Sequence, residues 1–172
     1  MKVCYSIGEA MDVNLEEKIW WRYLHEDLQE LLKESVKLYN NVGTWQERFH
    51  DYSFVVFPAA KAYEGFLKKV FLDLGFITHE DFYGKHFRVG KALNPSLDKE
   101  FRHESVYDKI VQFCHGPKLA DSMWETWKSS RNLLFHWFPE ERNVVSYEEA
   151  GKNIELILDT MDKTFRECKI TQ

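Results

Sequence analysis

No run of this chain is apolar for long enough to cross a bilayer: the longest patches, such as Phe54 to Ala60, reach about a third of the roughly 20 residues a spanning helix needs. No N-terminal stretch joins a basic head to an apolar run of signal-peptide length. Cysteine is scarce. Cys4, Cys114 and Cys168 form an odd set without C-x-x-C spacing, which fits a reducing cytoplasm. Positive charge is also short, with 23 Lys and Arg against 28 Asp and Glu and a net charge of -5. No global field therefore gathers nucleic acid, and any contact with RNA has to be local. Glycine-rich phosphate loops, Gly-x-Ser-x-Gly elbows and Walker-type motifs are missing. His79-Glu80 and His103-Glu104 lack the second ligand that a zinc-binding helix supplies, so neither a metal nor another cofactor is expected.

Aromatic surface, by contrast, is abundant. The 13 Phe, 8 Tyr and 6 Trp make up 16% of 172 residues, far above the composition at which a core fails to offset chain entropy. The length suits one domain, 1–172. So many large rings exceed what one small core holds easily, and aromatics are enriched where partners meet, so self-association as a homodimer is expected.

Helical periodicity dominates. Leu15, Ile19, Trp20, Tyr23, Leu24, Leu28, Leu31, Leu32 and Val36 recur at spacings of three and four, which predicts a long amphipathic helix capped by Asn14 and stopped near Asn40 to Gly43. A second helix, from about Trp45 or Asp51 to Leu74, is apolar on several sides and reads as the central one; Pro58 kinks it or marks its start, and Gly75 ends it. Phe76 to His103 reads as an insertion-like loop with a short helix in Phe87 to Leu93. Further helices span Ser105 to Cys114, Lys118 to Phe138 ahead of Pro139, and a last stretch from Ser146, with Glu149 at the third position, to about Cys168. Trp124, Trp127 and Met123 keep helical spacing and read as core or dimer seam. No strand alternation persists, so the expected fold is an all-α, up-down helical bundle.

One short segment carries chemistry. Arg131-Asn132-Leu133-Leu134-Phe135-His136 sets a permanent phosphate-binding cation near a side chain that titrates close to neutrality, the minimum equipment for cutting RNA without a metal. Five residues along an ideal α-helix rotate a side chain by about 500°, leaving the two roughly 140° apart, so they need a distorted last turn or a two-fold partner to meet. Glu64 stands among apolar and aromatic residues on the central helix, where an unpaired charge is expensive. Its partner is either Lys68, one turn on, as an ordinary surface pair, or Arg131 or His136, as an orienting group for the site.

Arg131-Asn132 with His136 resembles the Arg-polar-x-x-x-His signature of the HEPN superfamily, compact helical-bundle proteins that are often metal-independent RNases. More narrowly, Lys61 to Lys69, Phe87 to Asn94 and Ser130 to Phe138 together resemble the C-terminal domain of RNase LS-type toxins of bacterial toxin-antitoxin systems, over about Asp51 to the C-terminus. The resemblance implies a HEPN-like bundle and a catalytic set of Arg131, His136 and Glu64, with Asn132 in support; Lys68 is assigned beside them as a further supporting residue of the local cationic set. It also implies a homodimer with a composite active site and an antitoxin protein as partner. The chain is shorter than the full-length toxins, so it reads as a stand-alone HEPN protein or an excised fragment. Phe138 stands where one branch of HEPN toxins has a Tyr that its antitoxin nucleotidylates, so that regulation is not expected. RNA contacts are assigned to Lys69, Lys85, Arg88 and Lys91, with His86 nearby and Trp137 as a stacking ring; neither DNA nor a membrane is an expected partner. The alternative is a non-catalytic HEPN module that binds a partner protein or nucleotide and uses Arg131 structurally.

Overall fold

The computed structural model describes residues 10–45, 47–136, 139 and 143–168. Among these the chain is all-α, with no strand, and no helix is long and apolar enough to cross a membrane. The long helices are α1 (Glu26–Thr44), α2 (Ser53–Asp73), α6 (Lys118–Trp127) and α7 (Tyr147–Glu167); α3 (His79–Tyr83), α4 (Val89–Ala92) and α5 (Val106–Phe113) are short and fall between α2 and α6. This is the expected all-α bundle with an insertion.

Helix α2 is central because it is apolar nearly all round: Val55, Val56, Ala59, Tyr63, Phe66, Leu67, Val70 and Phe71 are buried, and the helix packs against α1, α6 and α7. Cross-helix pairs fix its direction relative to α1. Gly65 late in α2 packs on Leu28 early in α1, while the Ser35 hydroxyl in mid α1 donates to the Val55 carbonyl at 2.6 Å, so the two run antiparallel. Pro58 sits inside α2 without ending it. It offers no N–H to the preceding turn, and the buried Ser35 hydroxyl supplies a donor one residue away. Gly75 does end it, at φ +68, with Gly75 N–H bonded to the Leu72 carbonyl and Phe76 N–H to the Phe71 carbonyl, a left-handed helix stop suited to a residue without Cβ.

The N-terminal helix differs from expectation. Asn14 does cap, accepting from the Glu16 N–H, but the chain then makes two single 3₁₀ turns, Leu15–Glu17 and Trp21–Tyr23, before α1 starts at Glu26. Leu24 and His25 are extended, and the Gln29 side-chain amide donates to the Trp21 and Leu24 carbonyls beside the break. Helix α1 then runs through Asn40 to Gly43 rather than stopping there. Gly43 is needed for closeness: a methyl on it would collide with the Tyr147 ring, which stacks on Tyr39 at 4.3 Å between centroids and donates its hydroxyl to the Tyr39 carbonyl. Helix α3 is an addition to the expected elements; Thr78 and Asp81 form a reciprocal cap over its first turn.

The cap of α7 matches expectation. Ser146 accepts from Glu149 N–H, and the Glu149 carboxylate accepts from Ser146 N–H at 2.8 Å. That backbone N–H, then the Ser146 hydroxyl, hold the Glu149 carboxyl below its ordinary value. A depressed carboxyl contributes stability above its unfolded value of about 4.3, and that contribution fades as pH falls through the folded value. Glu149 is exposed and screened by solvent, so Glu149→Gln is expected to cost only about 0.3–1 kcal/mol at pH 7, with a smaller difference in acid; urea melts at pH 7 and pH 3 check it.

Candidate functional site

Helix α6 does not continue regularly to Pro139. After Trp127 it widens into a π turn over Lys128–Asn132, where Leu133 N–H bonds back five residues to the Lys128 carbonyl at 2.9 Å. The local cause lies in two serines. Ser130, fully buried, donates its hydroxyl to the Thr126 carbonyl at 2.6 Å, and Ser129 donates to the same carbonyl at 3.3 Å, competing with the backbone ladder. Helical hydrogen bonding ends there, and His136 lies beyond it in an exposed, non-helical position. One extra residue in the turn and early release of the chain remove the 140° offset of a regular helix, so Arg131, Asn132 and His136 line one cleft.

That cleft has a volume of about 350 Å³. Glu64 of α2 meets Arg131 across it, the Arg131 Nε–H donating to the Glu64 Oε2 at 2.8 Å. Lys68, the competing partner, points elsewhere: its ammonium donates to the Phe82 carbonyl at 2.7 Å and lies over the Phe82 and Phe87 rings. The pair engages only one guanidinium edge. Among the described residues, the terminal amino groups of Arg131 have no hydrogen-bond acceptor. The guanidinium carbon lies 5.7 Å from the Trp127 ring centroid, and Trp127 stacks on Trp124. Beneath them Gly90 of α4 approaches so closely that a methyl there would overlap the Trp127 ring.

The expected cations divide into two groups. Arg88 and Lys91 line the cleft; Arg88 reaches the Lys85 carbonyl, and Lys91 pairs with Glu104 at 2.7 Å over the Phe101 ring. Both also border an adjoining cavity of about 520 Å³ with His86, His103 and Lys109. Lys69 and Lys85 stand apart from the cleft. Lys69 pairs with Asp73 at 3.2 Å and covers the Tyr23 ring at 4.3 Å, because one residue on from Lys68 the α2 surface has turned away. Lys85 contributes its carbonyl to Arg88 rather than its ammonium to the cleft. Trp137 and Phe138 lie outside the described residues.

Sequence reasoning overlooked Trp127, Gly90 and Asn94 as lining residues. A signal existed for the first, since Trp127 stands four residues before Arg131, the spacing that places a ring under a guanidinium. The fit of Gly90 to Trp127 is a long-range contact with no local signature. Comparison with protein-family models, curated proteins and solved structures finds no match to this chain.

Two substitutions probe the geometry. The Glu64 and Arg131 side chains are 30% and 39% exposed, so Glu64→Ala is expected to cost no more than about 1 kcal/mol by urea unfolding; a loss above about 3 kcal/mol would mark a buried structural pair instead. Gly90→Ala is expected to displace Trp127, altering tryptophan fluorescence and costing about 1–3 kcal/mol through overpacking.

Proposed function

We propose that this protein is a metal-independent endoribonuclease of the HEPN type, acting as the toxin of a toxin-antitoxin or phage-defence system. The observation that carries the reading is the convergence of Arg131 and His136 on one open cleft, with Glu64 gripping Arg131 by its Nε edge and leaving the terminal amino groups for a phosphate. A guanidinium so held needs little reorganisation when charge builds on the scissile phosphate. His136 is exposed, so substrate can reach it.

In the proposed reaction the ribose 2′-oxygen attacks phosphorus, the bond from phosphorus to the 5′-oxygen breaks, and a 2′,3′-cyclic phosphate and a 5′-hydroxyl result. His136 takes the 2′-hydroxyl proton or delivers one to the departing 5′-oxygen. Arg131 holds the phosphate, Glu64 orients Arg131, and Asn132 adds a polar contact at the rim. Arg88 and Lys91 carry the flanking backbone. A second copy pairing about a two-fold axis would supply a second imidazole, so that one could act as base and the other as acid. An antitoxin protein is the proposed restraint.

A second reading rests on the same ion pair. If Arg131 serves only to neutralise Glu64, the chain is a non-catalytic HEPN module for a partner protein or nucleotide. Bulk RNA incubated in EDTA separates the two. Wild type is expected to cleave, and Arg131→Ala and His136→Ala each to lose about 100-fold or more of the rate. Equal inactivity of all three proteins would favour the binding module, whereas expression toxicity relieved by either substitution would favour the enzyme.

A further inference from the structure

Glu64 and Arg131 form a wall shared by two depressions of opposite character. On one side lies the polar cleft with His136 and Asn132. On the other, a hollow of about 350 Å³ is lined by Phe57, Ala60, Lys61 and Phe135 together with the same Glu64 and Arg131. Phe57 is 51% exposed, unusual for a large ring projecting from the central helix of a bundle. Phe135 meets it edge to face, centroids 5.2 Å apart and planes at 83°, which fixes both rings. The hollow is therefore walled by fixed aromatic rings, edged by a guanidinium, and carries Lys61 in its lining.

We propose that this hollow is a nucleobase subsite: it receives a base of single-stranded RNA next to the phosphate held by Arg131, stacked on one of the two phenylalanine rings with the other at its edge. The proposal rests on the ribonuclease reading and extends it to substrate orientation. Charge complementarity selects the occupant. An aromatic wall adjoining a guanidinium and a lysine matches a base and its phosphate, the two halves of one nucleotide. The hollow lies across the wall from His136, so the base sits on the far side of the phosphate from the imidazole. The ring faces take any base; Glu64 accepts from Arg131 through Oε2, and the Lys61 ammonium is a donor.

A short 2′-O-methyl oligonucleotide has no 2′-hydroxyl to attack, so binding is measured apart from cleavage. By fluorescence anisotropy, Phe57→Ala and Phe135→Ala are each expected to raise Kd by roughly five- to 150-fold, while Phe57→Trp preserves affinity. An abasic residue scanned along the oligonucleotide is expected to weaken wild type at one position and leave Phe57→Ala indifferent there. Binding that disappears in Arg131→Ala but ignores both phenylalanine variants and every abasic position would overturn the subsite, leaving the ribonuclease reading intact. A change in mass by light scattering for Phe57→Ala, without a change in oligonucleotide affinity, would assign the face to contact between copies and also overturn it. Failure of wild type to bind the oligonucleotide, with no RNA cleavage, would remove both proposals.

Discussion

The contact between Glu64 and Arg131 ties the one charged position between Ala62 and Leu67 of the central helix to the irregular end of α6. The Glu64 carboxylate stands beside buried aromatics and gains from an opposite charge, and the Arg131 guanidinium is already favourably placed over Trp127. Joined, they hold the widened turn against α2. The bond is monodentate and about a third exposed, so its stabilising effect is modest and its geometric effect is the greater one. It orients the guanidinium relative to the bundle and defines both hollows beside it.

The surroundings serve that placement. Trp127, laid on Gly90, raises a flat surface under the guanidinium, and Trp124 backs it. The insertion between α2 and α6 delivers Arg88 and Lys91 to the same rim, which offsets the overall negative charge of the molecule over a limited area. Elsewhere opposite charges also pair, Lys18 with Asp162 in a half-buried contact and Arg102 with Asp108 at the surface.

Much of the bundle was legible because its signals are local. The reciprocal cap of Ser146 and Glu149, the left-handed stop at Gly75 and the apolar breadth of α2 each occupy a few consecutive residues. The break at Leu24 and His25 was hidden because the apolar spacing passes through it undisturbed; what fixes it is a Gln29 amide that satisfies two carbonyls only once the chain has turned. Helix α3 was overlooked because it spans barely one turn and has no periodicity to detect. At the candidate site, the choice of partner for Glu64 lay between a neighbour in sequence and one 67 residues away, and the distant one is bonded. The loss of Lys69 and Lys85 from the cleft has a similar origin, since their charge was visible and their direction was not.

The π turn at Lys128 to Asn132 separates two registers on one helix. Before it, Met123 and Thr126 answer to the core, where the Thr126 hydroxyl meets that of Thr160 at 2.8 Å. Within it and beyond it, Arg131 and His136 answer to the cleft. Repacking the interior half of α6 can shift or tilt that segment without rotating the guanidinium relative to the imidazole, because the extra residue absorbs the mismatch. Losing a single residue from Ser129-Ser130 would restore the regular ladder and couple the two halves again, scattering the polar groups around the helix while leaving the bundle's interior largely untouched.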